Sequence, residues 1–68
     1  PEAIMMLKDM RKKERYTQAQ VAEVLGISRP TYSKIEKNPR LLTVGMIFKL
    51  EALFNVSAVD IFLASNYK

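Results

Sequence analysis

The chain contains no cysteine, no histidine and no tryptophan. Without cysteine there is no disulfide framework, a weak sign of a reducing compartment. Without histidine or cysteine, the commonest general bases, nucleophiles and transition-metal ligands are missing, and the seven carboxylates are scattered among basic residues. This argues against an enzyme and implies no metal, cofactor or small-molecule ligand. Gly26 and Gly45 are the only glycines, so no phosphate-cradling glycine loop can be assembled. No apolar run approaches the roughly 20 residues that span a bilayer, and Pro1 to Leu7 do not read as a signal peptide. A soluble cytoplasmic protein is expected. Sustained period-two alternation, Asn-Gly and Asp-Gly turns, internal repeats and low-complexity tracts are also missing, which excludes a β fold and a repeat array.

What is present is compact and basic. Sixty-eight residues, 49% of them hydrophobic, leave room for one core, so residues 1–68 read as a single domain close to the lower size limit for independent stability. Helix packing or dimerisation must carry it. The net charge of +4 is modest, but its distribution is uneven. Nine of the eleven basic residues lie between Lys8 and Arg40, against Asp9, Glu14, Glu23 and Glu36. A surface that faces phosphates requires such a concentration.

Residues 17–37 read as two short helices joined by a corner at Gly26. Thr17 and Gln20 have capping-box spacing, in which hydroxyl and amide each satisfy one orphan backbone N–H. Ser28 caps the second helix, and Pro30 sits in its first turn, where a donor is not needed and the fixed φ suits the helix. The apolar positions are Val21, Leu25, Ile27, Tyr32 and Ile35, with Ala22 at a place of close approach. That leaves Arg29, Thr31, Ser33, Lys34 and Lys37 on the outward side of the second helix, a basic, hydrogen-bonding face suited to a DNA major groove.

These residues, in particular Thr17-Gln18, Val21-Ala22, Leu25-Gly26-Ile27-Ser28, Tyr32 and Ile35-Glu36, resemble the helix-turn-helix of the lambda-repressor-like family, also called Cro/XRE-type. Leu50 to Ser57 are similar to the ending of that family's fourth helix, and the likeness runs from Ile4 to about Leu63. The resemblance implies an all-α, five-helix domain that binds double-stranded DNA. It also implies that Arg11 pairs with Glu36, that Gln18 binds a phosphate at the start of the second helix, and that Tyr16 belongs to the core. Where the family usually carries glycine, this chain has Asn38, which tolerates a left-handed cap but is restricted by Pro39.

The flanking segments complete the expectation. Ala3, Ile4, Leu7 and Met10 predict a first helix over residues 2–14, with Met5 and Met6 at its margin. Lys12, Lys13 and Arg15 read as a solvated face first and as phosphate contacts second. Residues 37–40 break the pattern. Thr43 opens a fourth helix over residues 44–54, with Met46, Ile47, Leu50, Leu53 and Phe54 inward, Gly45 as its weak spot and Asn55 at its end. Ser57, with Asp60 at the capping-box position, opens a fifth helix carrying Val59, Ile61, Phe62 and Leu63.

The expected DNA contacts divide into reading and positioning. Arg29, Pro30, Thr31 and Lys34 are the base-reading candidates: Arg29 by bidentate bonding to a guanine, Pro30 only by packing on a thymine methyl. Thr17, Gln18, Ser28, Ser33, Lys37, Asn38 and Arg40 are the phosphate candidates. The Tyr32 hydroxyl is a further group that could emerge toward a phosphate. So small a domain reads few base pairs, which implies a homodimer on a palindrome. Val59, Phe62, Leu63 and Tyr67 form the candidate dimer surface, the alternative being that Phe62 closes the core over the first helix. A regulator that represses by occupying an operator is the leading reading. A protein-interaction module of the same fold, an antitoxin or adaptor, is the alternative.

Overall fold

The computed structural model of the chain describes residues 5–66. Five α-helices follow one another, α1 (Leu7–Lys13), α2 (Gln18–Leu25), α3 (Arg29–Lys37), α4 (Val44–Phe54) and α5 (Ala58–Asn66), with a short 3-10 turn, Pro39–Leu41, between α3 and α4. The described residues contain no strand.

α1 is shorter than its apolar spacing predicts. Met6 stands at the cap position in extended geometry, ψ 164°, with no side-chain cap, and its carbonyl accepts from the Asp9 and Met10 amides, both at 3.0 Å. The helix therefore starts at Leu7, and Met5 lies outside it. Ala3 and Ile4, which were expected to extend it, lie outside the described residues. Its far end closes on Arg15 in the left-handed region, φ 63°, while the Tyr16 amide reaches back to the Arg11 carbonyl at 3.1 Å.

The start of α2 is a complete capping box. Thr17 Oγ1 accepts from the Gln20 amide at 3.1 Å, and Gln20 Oε1 accepts from the Thr17 amide at 2.8 Å. Gly26, at φ 72°, then turns the chain, with the Ile27 amide bonded to the Ala22 carbonyl at 3.0 Å. A residue with a Cβ would be strained in this left-handed position. Ser28 Oγ accepts from the Thr31 amide at 3.2 Å to open α3, and Pro30 lies in its first turn. Asn38 does not adopt the left-handed cap: its φ is −137°, because the ring of Pro39 restricts the residue before it. The break after α3 is an ordered 3-10 turn, with the Leu41 amide on the Asn38 carbonyl at 3.0 Å.

Thr43 Oγ1 caps α4 through the Met46 amide at 3.2 Å, and Asn55, at φ 55°, closes it. Ser57 Oγ accepts from the Asp60 amide at 3.1 Å at the start of α5. There Glu51, reaching over from α4, accepts from the Ala58 amide at 2.8 Å, a carboxylate set against the positive end of a helix.

The core draws on every helix. Leu7 and Met10 meet Val21, Ala22 and Leu25, then Tyr32 and Ile35, Leu50 and Phe54, and finally Ile61 and Ala64. Each large apolar side chain buried in this way contributes roughly 1.5–3 kcal/mol. Met46, Ile47 and Leu53 pack on it from α4, and Tyr16 sets its ring 6.4 Å from that of Phe54. Phe62 does not close the core over α1. It is 56% exposed, because the spacing of Ile61 and Ala64 gives that place to their side of α5. Val59 and Leu63 are exposed beside it, whereas Tyr67 lies outside the described residues.

Candidate nucleic-acid interface

α3 is fixed from behind by Tyr32 and Ile35, both buried in the core, and this alone decides which residues face outward. Pro30, Lys34 and Lys37 fall at helical spacing on one exposed strip, with the half-buried Ser33 beside them, and Arg29 and Thr31 stand exposed at its leading end. Ser28 and Thr31 turn their hydroxyls toward each other, 2.8 Å apart, at the exposed start of the helix. Asn38 and Arg40 lie exposed where α3 runs into the 3-10 turn. The four base-reading candidates are thus all exposed on α3, Pro30 and Lys34 on the strip itself and Arg29 and Thr31 on either flank of its leading end. The phosphate candidates flank it, Thr17 and Gln18 at the start of α2 and the others from Ser28 to Arg40.

Behind this face runs a polar network. Arg11 Nε donates to Glu36 Oε2 at 2.6 Å and Nη2 to Oε1 at 3.4 Å, while Nη1 donates to the Tyr16 carbonyl at 2.8 Å. The two side chains are only 10% and 6% exposed, so the ion pair that ties α1 to the last turn of α3 is largely shielded from water. Gln18 joins it, donating Nε2 to Glu36 Oε1 at 2.9 Å and accepting from Arg29 Nη1 at 3.1 Å through Oε1. Its side chain is therefore engaged at both ends. Burial pushes the Glu36 carboxyl up, but hydrogen bonds from Arg11 and Gln18 outweigh it and hold the group below the usual carboxylate range. Bonding to Glu36 in turn raises Arg11.

Tyr32 does not reach the surface. Its side chain is wholly enclosed, and its hydroxyl makes no hydrogen bond of ordinary geometry, although Glu36 and Arg11 lie close enough to bear on its ionisation. Burial, then Glu36, raises that ionisation well beyond the ordinary tyrosine range. The apolar body of Tyr32 is needed at the centre of the core, so the hydroxyl is carried inward with it.

Two features were not anticipated from sequence. Lys8, from α1, lines a cleft together with Gln18, Ser33, Glu36 and Lys37, which brings a cation of the first helix beside the start of α2 and the flank of α3. Its one signal was its position a helical turn before Arg11, on the side of α1 that meets Glu36. The other feature is the Gln18 amide bridge, which joins residues 11 and 18 apart and has no local spacing signature. Among the described residues, no group of three or more Asp or Glu is placed to hold a metal ion, and no helix is long and apolar enough to cross a membrane.

A family model described as helix-turn-helix matches residues 7–61. A protein of Pyrococcus furiosus is 33% identical over 61 residues, 85% of this chain and 19% of its own length. One of Pyrococcus abyssi is 34% identical over 53 residues, 78% of this chain and 17% of its own. Both are named "Putative HTH-type transcriptional regulatory protein". The chain thus spans less than a fifth of the length of these relatives, and no solved structure matches it. With the match covering α1 to α4 and reaching into α5, the two capped helices around Gly26 and the Arg11–Glu36 tie, the chain belongs to the lambda-repressor-like, Cro/XRE-type helix-turn-helix family of DNA-binding domains.

Proposed function

We propose that this domain is the operator-reading part of a transcriptional regulator that inserts α3 into the major groove of double-stranded DNA and represses by occupying its site. The observation that carries this reading is the outward face of α3. It is basic, exposed and rich in donors, on a helix whose opposite face is locked in the core. Arg29 takes a guanine through a bidentate contact, Lys34 a guanine or the backbone, Thr31 and Pro30 a thymine methyl. Thr17, Ser28, Ser33, Lys37, Asn38 and Arg40 hold the flanking phosphates; Gln18, whose side chain is already bonded to Glu36 and Arg29, contributes its backbone N–H among the free ones at the start of α2. The protein works on chromosomal DNA in the cytoplasm. Two copies bind a palindrome with half-sites about one helical turn, roughly 34 Å, apart, joined through the apolar outer side of α5.

A second reading, a protein-interaction module with DNA binding secondary, is favoured by the exposed apolar side chains Val44 and Phe48 on α4 and Val59, Phe62 and Leu63 on α5. Selection from a random duplex pool at fixed moderate salt, with wild type beside Arg29→Ala, separates the two. A palindromic consensus that Arg29→Ala relaxes at one position per half-site is the expected result. Retention without a consensus, lost steeply with salt, means phosphate binding alone. No retention favours the interaction module.

A further inference from the structure

The bonds between α1, α2 and α3 form one continuous line: Arg11 to Glu36, Glu36 to Gln18, Gln18 to Arg29. Its middle link is an amide, with a donor at one end and an acceptor at the other. Turned over, Gln18 would set its oxygen against the Glu36 carboxylate and its NH2 against the Arg29 guanidinium. Both bonds would then become contacts between like groups. A carboxylate on one side and a guanidinium on the other therefore select a single orientation of the amide.

The two ends differ in freedom. Glu36 is 6% exposed in its side chain and is pinned by two Arg11 nitrogens, so it is the fixed end. Arg29 stands in solvent, and among the described residues its side chain is held by Gln18 Oε1 alone. A long exposed arginine samples many rotamers and must surrender them to grip a base. Held through Nη1 alone, it keeps its Nε and Nη2 edge for the O6 and N7 of a guanine.

We propose that Glu36, acting through the Gln18 amide, is a positioning residue for Arg29, so that discrimination at the base pair Arg29 reads is set partly by a carboxylate that touches no DNA. This rests on the reading of α3 as the base-reading helix. Arg11 supplies the counter-charge that keeps Glu36 in place. The residue that ties the fold together thereby also aims the residue that reads.

The test compares Gln18→Met, which keeps side-chain length but removes both amide bonds, with Arg29→Ala, Glu36→Gln and the Gln18→Met/Arg29→Ala pair. Each is titrated against the selected duplex, the same duplex changed at the pair Arg29 reads, duplexes changed at other pairs, and an unrelated duplex. Arg29→Ala should cut discrimination at its pair about tenfold, the low end for a bidentate base contact. Gln18→Met should cut it there by about three- to tenfold and spare the other pairs, and the double variant should be no worse than Arg29→Ala, as expected of two groups acting in series. Glu36→Gln, whose own amide can turn either way, should also weaken discrimination at that pair. Should that variant melt, the Arg11→Met/Glu36→Leu pair takes its place with the same expectation. In the DNA-free protein, the Arg29 guanidinium NMR signals should sharpen toward free rotation in Gln18→Met. If Arg29→Ala relaxes a pair that Gln18→Met and the Glu36 variants leave unchanged within about twofold, or if these weaken all pairs alike, the positioning role is refuted while base reading by α3 stands. If Arg29→Ala relaxes no pair, base reading itself fails.

Discussion

Replacing Arg11 by methionine should expose how much the domain depends on one shielded ion pair. Methionine fills much of the aliphatic volume but leaves Glu36, 6% exposed, with the hydrogen bond from Gln18 Nε2 and the nearby Tyr32 hydroxyl and no counter-charge. Breaking a buried pair from one side costs about 3–5 kcal/mol; both side chains keep a trace of solvent here, which moves the expectation to about 2–4 kcal/mol. For a domain of this size, whose ordinary stability is about 3–10 kcal/mol, that is a large share. Urea unfolding followed by circular dichroism between pH 7 and pH 3.5 gives both size and sign. In the wild type the Glu36 carboxyl sits below its unfolded value, so its contribution is complete above the ordinary value of 4.5 and is lost as pH falls through the folded one. In Arg11→Met, burial is no longer outweighed, and the carboxyl moves above its unfolded value. That variant gains stability as acid protonates it. The gap between the two proteins should therefore be widest at pH 7 and shrink on acidification. A gap under about 1 kcal/mol at pH 7, or one that does not change with pH, would mean that water solvates Glu36 as it does a surface pair, and the reasoning would fail. The Arg11→Met/Glu36→Leu double variant, which leaves no lone charge, should recover most of the loss.

Three further substitutions test separate parts of the fold by the same melts. Gly26→Ala should cost about 1–2 kcal/mol purely through backbone strain, since a Cβ there meets nothing within 4 Å while φ is 72°. Gly45→Ala should do the opposite and stabilise α4 by up to about 1 kcal/mol, because beyond its own stretch of helix backbone the new Cβ would meet only the Thr43 hydroxyl, at 4.0 Å, and the helix gains a better former. Tyr32→Phe removes a buried hydroxyl without an ordinary partner and should change stability by no more than about 1 kcal/mol, in either direction; a loss above about 2 kcal/mol would place a real hydrogen bond on that hydroxyl.

How legible each part was depended on how local its cause is. The caps at Thr17, Ser28, Thr43 and Ser57, and the corner at Gly26, are set by residues three apart or by a single missing Cβ, and all five are where the spacing puts them. The start of α1 was misjudged because Ala3 and Ile4 stand at helical spacing from Leu7 and Met10. Periodicity continues past the point where the backbone turns extended at Met6, and no capping side chain marks the boundary. Arg15 in the left-handed region carried no signal at all, because arginine has no preference for it. At the candidate interface, the outward face of α3 followed from the buried positions of Tyr32 and Ile35, since two buried residues of a helix fix the direction of all the others. What joins α3 to the rest of the molecule did not follow. Whether Gln18 spends its amide on a phosphate or on its own protein depends on the distance between two helix starts and a helix end. That distance is set by the packing of Val21, Ala22 and Tyr32 between them, not by any spacing along the chain. The same packing explains why the Tyr32 hydroxyl was misplaced. An amphipathic side chain reaches the surface only if its body lies near it, and here the ring fills the middle of the core, so burial of the apolar part dictated the fate of the polar tip.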